Sequence, residues 1–160
     1  MAPLPAIFPI LSTVVTNMRA TTGYNAPTSG RGIPVFDGPI AGSNDNPATY
    51  VCVGWTRNGD TAGTLHTSAA VFGARADRLE EGTFEVTCVA SSGDLDASPV
   101  RTTLRQVVAD LTAAVYGLTD ASFAAYWAEL SNFDLVQYQS PSGVTVEAIC
   151  TFSYRVQLGA

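Results

Sequence analysis

The chain has 160 residues and a mass of 16.7 kDa, which predicts a single domain, residues 1–160, with a sizeable hydrophobic core. Only 14% of the residues are charged, against about 25% in ordinary soluble proteins, and the net charge is −6. Because affinity for nucleic acid phosphates comes mainly from Lys and Arg, this balance argues against a protein that reads DNA directly. The low charge has two open explanations: burial of the surface against other subunits, or a coding bias towards small neutral residues.

The cysteines and the N-terminus both indicate a protein made in a reducing compartment. Cys52, Cys88 and Cys150 fall within predicted strands and match no zinc spacing, so we expect buried, reduced thiols. The apolar N-terminal segment has neither the positive start nor the cleavage site of a signal peptide. Its apolar run is also shorter than the ~20 residues that span a bilayer, so we expect no membrane association.

Residues 7–19 have the spacing of an amphipathic helix, with Pro9 in the first turn, where a missing N–H costs little. Its apolar face would carry Ile7, Leu11, Val14 and Met18, with Phe8 and Val15 beside them. Two strands are predicted after it, at 33–36 and 50–55. The second is apolar on both faces, which is typical of a central strand.

The segment 57–82 has the weakest pattern of the chain. We predict a strand at about 69–74, an exposed turn at 75–81, and a loop around the single histidine, His66. As a whole, 57–82 is expected to be a mobile or interface excursion. Residues 83–90 then alternate between apolar and polar side chains and predict another strand.

The clearest helix is predicted at 98–116. Ser98 is a candidate N-cap, Pro99 would take the first helical position, and Gly117 would end the helix. One broad apolar stripe runs along it, formed by Val100, Leu104, Val107, Val108, Leu111 and Val115. Arg101 and Arg105 lie on the opposite, polar face.

Two strands close the chain. Thr119 and Asp120 favour a short helix through Phe123, Trp127 and Leu130, followed by a strand at 135–139. Residues 143–158 alternate throughout, which predicts a half-buried strand roughly 50 Å long at about 3.3 Å per residue. We expect this final strand to offer an edge to another molecule. Consecutive strands with the helices kept apart predict an α+β fold, with a mostly antiparallel sheet of about 4–6 strands and both helices packed on it.

The sequence offers only weak candidates for catalytic or metal-binding residues, and an enzyme is the least favoured functional class. His66 has no acidic residue close in sequence, and no nucleophile elbow, phosphate loop or dinucleotide fingerprint is present. Asp94 and Asp96 precede the main helix, where capping and turn formation explain them better than a divalent metal does. Residues 44–46 lack the ligand spacing of a calcium loop. We expect no cofactor and no metal.

The order of these elements resembles the tail terminator (tail completion) proteins of long-tailed bacteriophages. The resemblance rests on an N-terminal helix and, after it, on a series of segments in a fixed order: Val35–Pro39, the strand Val51–Trp55, a strand running into Ser91–Asp94, the amphipathic helix, and the closing pair Leu135–Tyr138 and Gly143–Leu158.

The resemblance implies a structural virion protein located at the head–tail junction and assembled in the host cytoplasm. Such proteins form a hexameric ring on the head-proximal end of the tail tube, stop its polymerisation and present a surface to the head-completion (stopper) protein. Genomic DNA would pass through the lumen without specific binding. For contacts with the next subunit, the tail tube protein or the stopper we nominate six residues: Arg75, Arg78, Arg101, Arg105, Arg155 and Gln157.

Three other functions stay open from the sequence. One is a head-closure or neck adaptor protein of the same connector. Another is an α+β domain that encloses a small ligand or peptide between helix and sheet. The last is a hydrolase or metal-dependent enzyme that uses Asp94 and Asp96.

Overall fold

The structure is a computed structural model that describes residues 5–40, 48–55, 63–69 and 78–158, with the backbone alone for 63–69 and 78. Its helices are α1 (Ile7–Ala20) and α2 (Ala97–Tyr116). Its strands are β1 (Tyr24–Asn25), β2 (Ile33–Asp37), β3 (Thr49–Val53), β4 (Gly63–Ala69), β5 (Arg78–Ser92), β6 (Phe123–Ser140) and β7 (Gly143–Leu158).

One sheet contains all seven strands of the described residues. Six of them follow the order β1-β2-β3-β5-β7-β6, and β4 lies off this path and pairs with β5. β5 pairs with β7 along its whole length on one side. Its other side is shared, because β4 pairs with residues 78–84 and β3 with residues 86–90. The pairs β1–β2 and β2–β3 are parallel and the others antiparallel. The α+β prediction, with a mostly antiparallel sheet, is confirmed.

The core lies between the two helices and one face of the sheet. Alternation along β7 buries every even-numbered side chain from Val144 to Leu158, as expected for a strand with one face on a core. Phe152 stacks on Phe84 of β5 at a centroid distance of 5.4 Å. The apolar stripe of α2, which includes Leu104 and Leu111, packs against these residues.

The N-terminal helix is confirmed and is anchored to the sheet at its first turn. Ile10, Val14, Val15 and Met18 are buried, while Phe8 is 62% exposed and does not join the apolar face. The backbone N–H of Ala6 donates a hydrogen bond of 2.6 Å to the carboxylate of Glu80, which is completely buried. A negative charge at this end of a helix also interacts favourably with the helix dipole.

The start of α2 differs from the prediction by two residues. Asp96, and not Ser98, is the N-cap, and its carboxylate accepts a hydrogen bond of 2.9 Å from the backbone N–H of Ser98. The helix therefore begins at Ala97, and Pro99 falls at its third position, still within the first turn. Gly117 ends the helix as expected. The capping interpretation of this acidic pair is confirmed for Asp96.

The short helix predicted through Phe123, Trp127 and Leu130 is wrong, because these residues belong to β6, which runs without interruption to Ser140. Cross-strand pairing with the whole of β7 overrides the local helical spacing. The turn between β6 and β7 requires a glycine at position 143. The φ of Gly143 is +134°, and a Cβ at this position would collide with the carbonyl oxygen of Ser92.

In its described part, the segment 57–82 has a different secondary structure from the one that the sequence predicts. The backbone of 63–69 forms β4, so His66 lies in a strand opposite Glu81 and not in a loop. Residues 78–81, predicted as part of an exposed turn, begin β5. The predicted strand at 69–74 falls outside the described residues beyond Ala69, and the candidate calcium loop at 44–46 lies outside them entirely.

Candidate assembly interface

Among the described strands, β6 and not the final strand β7 lies at an edge of the sheet. β7 is long, as predicted, but it pairs with β5 on one side and β6 on the other, so it cannot accept a further strand. Within the described part of the chain, β6 pairs with β7 alone. β6 has 18 residues, and Glu129 and Asp134 are its only charged ones. Natural proteins usually protect such an edge with Lys, Pro or a covering segment.

A β-bulge divides this edge into two halves. The register with β7 shifts between Leu130 and Asn132, leaving Ser131 as the extra residue. The backbone N–H of Leu130 donates to the hydroxyl of Tyr116 at the end of α2, at 3.1 Å. This contact occupies a backbone group at the bulge and separates the segment 123–130 from the segment 132–140.

On the helix side of the edge, β6 and α2 form an apolar groove of about 170 Å³, which we call the arginine groove. It is lined by Leu104, Val108, Phe133 and Leu135, with Arg101 and Arg105 beside them. Phe133 and Leu135 are 44% and 51% exposed. Large apolar side chains that are this exposed and adjacent are typical of a surface that another molecule covers.

The two arginines of the groove are available for a partner. Arg101 donates a hydrogen bond of 3.3 Å to the side-chain oxygen of Gln137 on β6. Neither Arg101 nor Arg105 forms an ion pair with a carboxylate of the described residues. Because the chain is acidic as a whole, two uncompensated guanidinium groups beside an apolar groove favour a partner that brings carboxylates.

The opposite face of the sheet has a second, more polar surface, which we call the open face. Arg155 forms an ion pair with Glu81 there, and Trp127 lies beside it, 56% exposed. Together with Thr83, Glu129 and other neighbours they line a shallow hollow of about 710 Å³. Both members of the ion pair are well exposed, so it contributes only ~0–1 kcal/mol to stability.

The structure divides the six nominated interface residues between these surfaces. Arg101 and Arg105 come together at the arginine groove, whereas Arg155 and Gln157 lie on the open face. Arg78 is described by its backbone alone, as the first residue of β5, and Arg75 lies outside the described residues. Their role in binding stays a prediction.

The interface residues nominated from the sequence do not include the apolar residues that border both surfaces. Four exposed side chains of β6 belong to this set: Trp127, Phe133, Leu135 and Tyr138. The signal that could have found them is the tight turn at 140–143, because a short turn before a long alternating strand indicates an equally long partner strand. The helical spacing of Phe123, Trp127 and Leu130 concealed it.

The phenols of Tyr154 and Tyr126, behind the edge, are held in their neutral forms. Burial and, second, the nearby charge of Glu80 raise the pKa of Tyr154 to about 12. Burial also raises the pKa of Tyr126 on β6. These groups support packing, since a neutral phenol is less costly to bury than a phenolate.

All three cysteines are buried and free, as predicted. Burial raises the pKa of Cys52 to about 12, and a hydrogen bond with Cys150, together with burial, raises the pKa of Cys88. The thiolate is the reactive form of cysteine, so these thiols are structural and unreactive.

We expect the thiols of the folded chain to react slowly with an aromatic disulfide reagent at pH 8. After unfolding, all three should react rapidly. The raised pKa lowers the thiolate fraction of Cys52 roughly a thousandfold. Because the unfolded thiol ionises near its ordinary pKa of 9.0 and the folded one near 12, stability should fall as the pH rises between these values. Fast labelling of the folded chain would contradict this expectation.

Within the described ranges, no three His, Cys, Asp or Glu side chains come together as a candidate metal site. In the same part of the chain, neither helix is long and apolar enough to cross a membrane.

The chain is similar to known solved structures. A chain in the virion of a native gene transfer agent particle shares 15% sequence identity with this chain, and the TM-score is 0.47. The similarity covers 92% of this chain and 93% of that one. No protein-family model and no curated protein matches the sequence.

Proposed function

We propose that the chain is a structural virion protein of a long-tailed phage or phage-like particle. In this proposal it forms a ring that caps the head-proximal end of the tail tube, stops tube polymerisation and provides the attachment surface for the head. The observation that carries the proposal is the long outer edge of β6, which has only two charged residues and exposed apolar side chains on both faces. Such an edge is suited to being completed by another molecule.

The arrangement of strands supports a head-to-tail ring. Within the described residues, 123–130 of β6 form one edge of a four-stranded antiparallel unit, β4-β5-β7-β6, and β4 forms its other edge. A ring requires two different complementary patches on each subunit, one for each neighbour. In the proposed ring, the 123–130 edge of each subunit pairs with β4 of the next, so that the sheet continues from subunit to subunit.

The charge of the chain supports a passive path for DNA through such a ring. The net charge is −6, and Arg155 on the open face is already paired with Glu81. Tight DNA binding depends on cations that replace the counterions of the phosphates. A lumen with few free cations would let the genome slide through without being held.

Tails assembled without this protein test the proposal. Over-long tubes, measured in negative-stain images, are the expected result, since nothing would end polymerisation. Headless tails of normal length would contradict the terminator role and favour a neck adaptor. Complete, infectious particles would overturn both functions.

A further inference from the structure

The loop before α2 presents an apolar side chain between two carboxylates. Leu95 is 59% exposed, and Asp94 and Asp96 flank it. The loop is fixed in place, because Asp96 caps α2 and the amide of Gln139 donates to the carbonyl oxygen of Leu95 at 3.4 Å. The loop therefore holds an exposed apolar side chain in a fixed position between two carboxylates.

This acidic loop is the chemical complement of the arginine groove. The groove offers an apolar surface at Phe133 and Leu135 beside two guanidinium groups, and the loop offers a leucine beside two carboxylates. Arginine is also the residue best suited to carboxylates, and the chain has eight arginines and no lysine. Within one copy the loop is tied to Gln139 at the far end of β6, so it does not fill its own groove.

We propose that a second copy of the chain covers this surface, with residues 132–140 of the two β6 strands paired antiparallel about a twofold axis at Val136. This register sets Phe133 of each copy opposite Gln139 of the other, and Leu135 opposite Gln137. The acidic loop of each copy then lies beside the arginine groove of its partner.

The faces of the strand agree with this register. Phe133, Leu135, Gln137 and Gln139 pair with β7 residues of the buried, helix-covered face, so all four lie on the α2 side. Helix α2 runs from Gln137, which Arg101 contacts, towards Leu130, which Tyr116 contacts. Arg105 therefore lies towards Phe133, the end of the groove that the partner's loop reaches.

The charged residues of the segment 132–140 are also compatible with this register. Asp134 is the only charged residue of the segment, and the register sets it opposite Tyr138 of the other copy, so no like charges face each other across the strands. A twofold contact also repeats every interaction, which gives two loop–groove contacts for each dimer. The inference goes beyond the proposed ring, because it concerns the free protein and uses the other half of the β6 edge.

Cysteine cross-linking of the purified chain tests the register. Val136→Cys places a thiol next to its own counterpart across the axis, at about 4.5–5.5 Å between Cα atoms, within disulfide range. Ala124→Cys, also on β6 but far from the axis, is the matched control, and the three native thiols are buried. We expect Val136→Cys to form a linked dimer under mild oxidation at least about tenfold faster than Ala124→Cys. Equal rates would overturn the register.

A charge exchange and light scattering test the loop–groove contact. The free chain should have twice the mass of 16.7 kDa. Arg105→Glu or Asp94→Arg alone should weaken dimerisation at least about tenfold, and the double variant should restore it. A monomeric chain, a ring-sized particle, or a double variant as weak as the singles would overturn the proposal. Tail length is measured separately, so failure here leaves the proposed ring standing.

Discussion

Trp127→Lys is expected to give over-long tails while the soluble chain remains folded. Trp127 is 56% exposed on the 123–130 half of β6, so its removal costs the monomer little packing. A lysine on an edge strand opposes pairing with a neighbour, because its ammonium group must stay hydrated. We expect the number of tails of normal length to fall at least about tenfold, measured in negative-stain images of particles that carry the variant.

Phe8→Lys is the matched control, since it replaces an equally exposed aromatic residue on α1, away from the sheet edge. Its tails should be of normal length. Both variants should keep the circular dichroism spectrum and melting temperature of the parent within a few degrees. Normal tails with Trp127→Lys would exclude the 123–130 edge from ring formation.

Glu80→Ala is expected to lower the free energy of unfolding by about 2–4 kcal/mol. Glu80 is completely buried and accepts a hydrogen bond of 2.6 Å from the N–H of Ala6. Its loss would leave that buried donor at the start of α1 without its carboxylate, and would remove a favourable charge from the helix end. Urea denaturation with a spectroscopic readout measures the change.

Two further variants separate the causes of this loss. Glu80→Gln keeps an acceptor for Ala6 but removes the charge, so its loss should be smaller than that of Glu80→Ala. Glu85→Ala removes a carboxylate from the same strand where it is partly exposed, and should cost less than about 1 kcal/mol. If Glu80→Ala lowers the free energy of unfolding by no more than Glu85→Ala does, the buried contact between Glu80 and Ala6 contributes little to stability.

The sequence predicted those elements in which the buried side chains recur at one regular spacing. Every second residue of β7 is buried, and the stripe of α2 lies on the sheet, so alternation and helical spacing were sufficient there. β6 was different, because most of it is exposed on both faces and its side chains have no strong period. Its strand structure comes from pairing with β7, which local spacing does not report.

The candidate interface was predictable only in part, for a related reason. Arg101 and Arg105 could be placed on the polar face of α2 from helical spacing alone. Their proximity to Phe133 and Leu135 depends on the position of β6 in the sheet, and a sequence does not state the order of strands. The same ordering places β6, and not the final strand, at an edge of the described sheet.

The contact between Ala6 and Glu80 also affects how the chain folds as it is made. The two residues are 74 positions apart, so α1 leaves the ribosome well before the strand that anchors it has been synthesised. Until then its apolar face is exposed to solvent. The β6–β7 hairpin has the opposite property, since its strands are joined by a tight turn and can pair as soon as both have emerged. The last-made quarter of the chain is thus positioned to organise the sheet on which the first-made helix docks.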